Sequence, residues 1–106
     1  MSRRIYNKLV RDRIPEIIRA SGQECTTEIL SEEDYRRMLD AKLDEELAEY
    51  RRDQTIEELA DLMEVIRAVA AAQGCTPEEL ERIRAEKAAE RGGFEKRILL
   101  KEVMKD

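Results

Sequence analysis

The chain contains no histidine, no tryptophan, one phenylalanine and two cysteines in 106 residues. Without histidine there is no imidazole to act as a general base or a metal ligand, which excludes Ser-His-Asp catalysis and most zinc sites. Cys25 and Cys75 are too few and too far apart for a disulfide framework or a cysteine metal motif. We expect both to behave as small apolar side chains in a reducing compartment.

Long apolar runs are also absent. No stretch is apolar enough to span a bilayer, and residues 1–13 carry charges throughout, so they lack the apolar core of a signal peptide. We therefore expect a cytoplasmic protein with no membrane partner. The formal charge is −5 and basic residues are mixed with acidic ones, which disfavours binding to a nucleic acid polymer.

The length predicts a single domain over residues 1–106. Because 42% of the residues are charged and only 4% are aromatic, the core must be built from Leu, Ile, Val, Ala and Met. A small protomer of this kind buries little apolar surface on its own. We therefore predict an all-α fold, with a helical hairpin that completes a four-helix-type bundle as a homodimer or homotetramer. Short extended segments at the two termini are compatible with this fold.

Helix start and stop signals divide the chain into helices. Pro15 in a first turn and Gly22 as a stop predict a short first helix. Ser31 predicts the start of a second helix that ends near Arg52. The capping-box sequence T-I-E-E at Thr55–Glu58 opens a third helix.

Further along the chain, Gly74 should end the third helix. Thr76–Glu79 opens a fourth helix, which Arg91–Gly93 closes. Two other segments carry weaker patterns. Residues 24–30 indicate an extended or weakly strand-like segment, and residues 94–103 a strand or a short helix.

Four carboxylates fall within or at the edge of the apolar arcs of the second and third helices, on faces that a helix should bury. They are Glu46, Glu49, Glu58 and Asp61. Lys42 lies within the same arc, whereas Glu57 and Glu64 should point to water. Glutamate is a good helix former, so acidic pairs also arise by chance on solvated surfaces. Two pairs that both lie in apolar arcs favour a site.

The short link at residues 51–55 predicts an antiparallel hairpin. Across this link Glu49 should lie opposite Glu58, and Glu46 opposite Asp61. An unpaired buried charge costs roughly several kcal/mol, and a divalent cation removes that cost. Mg²⁺ prefers oxygen ligands and is often held by carboxylates together with substrate phosphates. The pattern therefore predicts a Mg²⁺ site that acts on a phosphorylated small molecule, although Glu58 also has a structural role in its capping box.

Two basic clusters are candidates for binding substrate phosphates. Lys87 and Arg91 are four residues apart on one face of the fourth helix, and Phe94 follows as a ring that can stack on a base. The competing interpretation is that they only complement the helix dipole and the helix end. Near the N-terminus a second basic cluster either reaches phosphates or pairs with the surplus acids, and the sequence does not decide between the two; it consists of Lys8, Arg11 and Arg13.

The acidic pairs lie in E-L-A-E at Glu46–Glu49 and E-L-A-D at Glu58–Asp61. Together they resemble the ExxE…ExxD signature of the all-α nucleoside triphosphate pyrophosphohydrolase superfamily, which includes MazG-like and phosphoribosyl-ATP pyrophosphohydrolase-like proteins. Residues Tyr6–Ile18 and Glu90–Arg97 are similar to a small-protein subgroup of it. The resemblance therefore spans nearly the whole chain.

This resemblance implies a helical dimer or tetramer that holds Mg²⁺ and splits the α–β bond of a nucleoside triphosphate, standard or modified, into a monophosphate and pyrophosphate. It also implies that the four motif acids are metal ligands or the base that prepares the attacking water. Lys42, Lys87 and Arg91 would then neutralise phosphate oxygens. Two other functions stay open: a phosphoribosyl-ATP pyrophosphohydrolase of histidine biosynthesis, and a non-catalytic metal-dependent nucleotide-binding helical oligomer.

The chain departs from the signature in one respect. Only eight residues separate Glu49 from Glu58, fewer than the signature usually has. This spacing predicts a tighter turn between the two helices, and it leaves Glu45 and Glu57 as alternative ligands.

Overall fold

The computed structural model describes residues 2–105, and in that range it contains four α-helices and no strand. The helices are α1 (Ile14–Ala20), α2 (Glu32–Asp53), α3 (Ile56–Ala72) and α4 (Pro77–Arg91). The predicted all-α class is confirmed. None of these helices is both long enough and apolar enough to cross a membrane.

Three of the helices begin at the side-chain caps that the sequence predicts. The hydroxyls of Ser31, Thr55 and Thr76 each accept a hydrogen bond from the backbone N–H three residues further on, at 3.2, 3.3 and 3.1 Å. Each bond satisfies one of the N–H groups that a helix N-terminus leaves without a partner. At the other ends, Gly74 and Gly92 follow α3 and α4 with φ of 85° and 84°, a conformation that favours glycine.

Neither of the two weaker patterns forms a strand, and the prediction of a strand or short helix over residues 94–103 is wrong. Residues 24–30 form no strand, and Ile29 in that segment is 97% exposed. Residues 94–103 form neither a strand nor a helix beyond one turn, which is closed by a 3.1 Å bond from Arg97 N–H to the Phe94 carbonyl. A strand needs a neighbouring strand for its backbone groups, and the described part of the chain supplies none.

The core lies between α2 and α3, which pack together as a hairpin. Leu39 of α2 and Val65 of α3 are its buried apolar residues, with 3% and 9% exposure. Among the described residues, α4 contacts only α3, and α1 contacts no other helix. The radius of gyration is 18.9 Å, whereas a compact chain of this length would have about 13 Å. A single protomer therefore leaves much of its apolar surface uncovered.

Candidate metal centre

The short link between α2 and α3 brings the two acidic pairs together. Gln54 adopts a left-handed conformation with φ of 51°, and its N–H donates to the Tyr50 carbonyl at 2.6 Å. Thr55 then caps α3. Because only these two residues separate the helices, the last turns of α2 lie beside the first turns of α3.

The carboxylates form two overlapping groups. Oxygens of Glu46, Glu58 and Asp61 lie within 4.8 Å of one another, and so do oxygens of Glu45, Glu46 and Glu49. The structure therefore brings all four motif acids together across the hairpin and adds Glu45 as a fifth. We call these five residues the carboxylate cluster. The other alternative ligand, Glu57, is exposed and lies outside both groups, and Glu64 also faces solvent.

Glu46 is the most buried member of the cluster. Its side chain is only 9% exposed, and its Oε2 has no hydrogen-bond partner among the described residues. Glu58 Oε2 is also buried without a partner there. Buried acceptors in folded proteins nearly always have a donor, so two such oxygens in one cluster call for an explanation.

The predicted capping box at Glu58 forms only in part. The Thr55 hydroxyl accepts a hydrogen bond from the Glu58 N–H, but in residues 2–105 the Glu58 carboxylate accepts none from the Thr55 N–H. The conflict between a capping role and a metal role for Glu58 is therefore relieved. Its backbone serves the cap, and its carboxylate is left for the cluster.

Burial and like charge make ionisation of the cluster unfavourable. Burial raises the pKa of Glu46, and the neighbouring Glu49 carboxylate raises it further, whereas Lys42 lowers it. The pKa of Glu58 is raised by burial and then by the charges of Glu49 and Asp61. A positive ion among these oxygens would oppose all of the effects that raise these pKa values.

Among residues 2–105, three cations contact the cluster. Lys42 Nζ lies 3.4 Å from Glu46 Oε1 and 3.5 Å from Glu45 Oε1. Arg11 Nη2 donates to Asp61 Oδ1 at 2.6 Å, and Lys8 Nζ lies 3.5 Å from Glu45 Oε1.

With all five carboxylates ionised, the cluster and its three cations carry an excess of two negative charges, which one divalent cation would balance. All of the candidate metal-ligand atoms are carboxylate oxygens, and two of them are buried without a hydrogen-bond partner in the described chain. The cluster therefore fits a hard divalent cation such as Mg²⁺.

Sequence spacing did not identify the partners of Lys8 and Arg11. They lie in the irregular segment before α1, 37 and 50 residues from the acids that they contact. No helical period relates such a segment to the hairpin, so the sequence offered no signal for these pairs. The structure shows both side chains paired with acids of the cluster.

The structure does not bring the second basic group to the carboxylates within one protomer. Lys87 and Arg91 are exposed on α4, and Phe94 beyond it is 96% exposed. Helix α4 contacts α3 but not α2, and no hydrogen bond or ion pair within residues 2–105 joins these side chains to the cluster. Their role in substrate binding stays a prediction.

The carboxylate cluster is part-exposed in the single chain, where the Asp61 and Glu45 side chains are 43% and 33% exposed. Two surface cavities, of about 400 and 110 Å³, lie toward the other end of the hairpin, near Arg36 and Leu39. Neither cavity is lined by a carboxylate of the cluster. An enclosed substrate site would therefore need further surface to cover the cluster.

Comparison with known proteins gives a partial match. An uncharacterized protein of Mycolicibacterium smegmatis (strain ATCC 700084 / mc(2)155) is 58% identical over 48 residues, or 45% of this chain. The matched stretch is 49% of that relative, so the chain spans about half the length of the curated protein that it matches. No family model and no solved structure matches the chain.

Proposed function

We propose that the protein is a Mg²⁺-dependent hydrolase that splits the α–β bond of a nucleoside triphosphate, with a standard or a modified base, into a nucleoside monophosphate and pyrophosphate. The observation that carries this proposal is the buried Glu46 carboxylate, which has one oxygen without a donor and lies within a cluster of excess negative charge. The resemblance of the two acidic segments to the pyrophosphohydrolase signature supports the same reaction.

In this proposal Glu46, Glu49, Glu58 and Asp61 hold the cation or prepare the attacking water. Bound Mg²⁺ would polarise a phosphoryl oxygen and offset the charge that develops on the leaving pyrophosphate. A carboxylate that faces the substrate orients the water and accepts its proton. Lys42 is held beside the cluster by Glu45 and Glu46, where its ammonium can neutralise a phosphate oxygen.

We also propose that the active form is a cytoplasmic homodimer or homotetramer. Leu59, Met63 and Ile66 on α3 are 40%, 62% and 41% exposed, so an apolar stripe of the hairpin lacks a partner. Pairing two hairpins through this stripe would build the four-helix-type bundle and supply surface near the open carboxylate cluster. Cys25 and Cys75 are both free, which agrees with a reducing compartment.

The test is pyrophosphate release with Mg²⁺ from a panel of standard and modified nucleoside triphosphates, with phosphoribosyl-ATP assayed beside them. Glu49→Gln and Asp61→Asn should each abolish release while the helical circular dichroism signal is unchanged. Glu57→Gln is the control, because it removes the same charge from an exposed position. Turnover retained in both site variants would contradict the proposal. Stabilisation by Mg²⁺ without product from any substrate would favour a non-catalytic nucleotide-binding oligomer.

A further inference from the structure

The segment before α1 is attached to both helices of the hairpin through the carboxylate cluster. Lys8 contacts Glu45 of α2, and Arg11 donates to Asp61 of α3 at 2.6 Å. We call residues 2–13 the N-terminal strap. It contains no helix or strand, and within the described chain these two ion pairs are its long-range polar contacts.

We propose that Arg11 has two successive partners: it pairs with Asp61 while the cluster holds no metal, and it moves to a phosphate group of the substrate once a divalent cation takes Asp61. This inference rests on the proposed function, because it assigns a role to Arg11 in the same site. The N-terminal strap would then release Asp61 when the metal binds, and it would close over the site when a polyphosphate ligand binds as well.

Competition for Asp61 provides the first step. Arg11 bonds a carboxylate whose oxygen belongs to the candidate metal group. A guanidinium and a divalent cation that share one carboxylate repel each other at close range. Binding of the cation also removes the excess negative charge that attracts the strap. Metal binding therefore weakens the Arg11–Asp61 ion pair, and the same binding prepares the cluster for substrate.

The ion pair is of a kind that can exchange. The side chains of Arg11 and Asp61 are 57% and 43% exposed, so water screens their attraction and supplies alternative partners. The second long-range pair, Lys8 with Glu45, is also part-exposed, at 43% and 33%, and the remaining contacts of the strap are local. Arg4 and Lys8 lie 5.1 and 5.8 Å from the centre of the Tyr6 ring, so this stack can move with the strap.

The chemistry of arginine supplies the second step. With a divalent cation in place, the five carboxylates and three cations of the site are balanced, and a triphosphate then adds several negative charges. A planar guanidinium binds phosphate oxygens through two parallel hydrogen bonds, a geometry that suits Arg11 better than a lysine at the same place. The freed side chain therefore gains a stronger partner only when both metal and polyphosphate are present.

Arg11→Gln separates these two roles because it should change two affinities in opposite directions. Without nucleotide, the variant should bind Mg²⁺ about two- to five-fold more tightly by calorimetry, which is the range that an exposed ion pair supplies. With Mg²⁺ present, it should bind a non-hydrolysable nucleoside triphosphate analogue at least about five-fold more weakly, because a bond to a charged group is lost. Arg11→Lys keeps the charge and should restore the metal affinity of the natural protein.

Arg13→Gln is the matched control. It removes the same charge two residues away, from a side chain that is 79% exposed and pairs with Glu16. It should change neither affinity. In the natural protein, hydrogen exchange of residues 2–13 should become faster when Mg²⁺ is added alone, and slower again when the analogue is added with Mg²⁺.

Two results would overturn this inference alone. They are equal Mg²⁺ affinities for the Arg11→Gln and Arg13→Gln variants, and exchange in the strap that Mg²⁺ does not alter. Either result would leave the metal site intact if the natural protein binds Mg²⁺ and Glu46→Gln does not. Absence of Mg²⁺ binding to the natural protein would overturn both this inference and the proposed function.

Discussion

Replacing Glu46 by glutamine should make the metal-free protein more stable. Burial of one carboxylate costs roughly 3 kcal/mol or more in folded proteins. Lys42 at 3.4 Å offsets this by about 5 kcal/mol at an effective dielectric constant near 20. Repulsion from Glu49, which lies within 4.8 Å, destabilises the charged form of Glu46 by about 3.5 kcal/mol. Glu45, Glu58 and Asp61 lie as close to Glu46 and add repulsion that Lys8 and Arg11 only partly offset, so the balance disfavours the charged side chain by at least about 1 to 2 kcal/mol.

The same substitution should remove the response to metal. Glutamine keeps the shape of Glu46, and Lys42 keeps Glu45 as a partner, so the fold is preserved. In EDTA at pH 7 the melting temperature of the variant should lie about 5–10 °C above that of the natural protein, as expected for a chain of this size. On titration with Mg²⁺ the natural protein should gain stability as the logarithm of metal concentration, and the variant should gain little.

Thermal melts followed by circular dichroism, with and without Mg²⁺, measure both effects. Glu64→Gln is the control, because Glu64 is an exposed carboxylate on α3 outside the cluster, and its loss should shift neither melt by more than about 2 °C. A Glu46→Gln protein that melts below the natural one in EDTA would show that the buried charge is already compensated. An equal Mg²⁺ response in both proteins would show that Glu46 is not part of a metal site.

Further measurements test the electrostatics, the core and the assembly. Because the pKa of Glu46 is raised in the folded protein, the metal-free protein should lose stability as the pH rises from the ordinary value of 4.5 through that raised pKa. The stabilisation by Glu46→Gln in EDTA should therefore shrink as the pH falls from 7 toward 4.5, and a difference independent of pH would contradict this origin. Leu39→Ala, at the most buried apolar position, should lower the free energy of unfolding by about 2–5 kcal/mol in urea denaturation. Ile66→Glu should shift the protein to a smaller species in light scattering, whereas Ile29→Glu, at a position 97% exposed in an irregular segment, should not; a monomer in the natural protein at micromolar concentration would refute the oligomer.

The sequence predicted what depends on local rules. Ser31, Thr55 and Thr76 begin helices because a hydroxyl and an amide three residues on can bond without help from the rest of the fold. The approach of Glu46 to Asp61 was also predictable, because a short link fixes which turns of two antiparallel helices lie side by side.

Contacts of irregular segments were not predictable in this way. The pair between Arg11 and Asp61 joins a strap without helical or strand periodicity to a helix 50 residues away. The alternating pattern of residues 94–103 suggested a strand or helix, yet the segment has no surface in the described protomer on which to form one. Pattern rules assume that an apolar face finds a partner, and here Leu99 and Leu100 are 82% and 74% exposed.

The two-residue link between α2 and α3 also limits how this protein can vary. Gln54 already has a positive φ, and the Thr55 hydroxyl caps α3, so a residue inserted at either position would disrupt the link. Adding one residue to the start of α3 would rotate Glu58 and Asp61 by about 100° away from Glu46. We therefore expect functional variants with a longer hairpin to carry insertions of about three or four residues, because one full helical turn brings the acids of α3 back opposite those of α2.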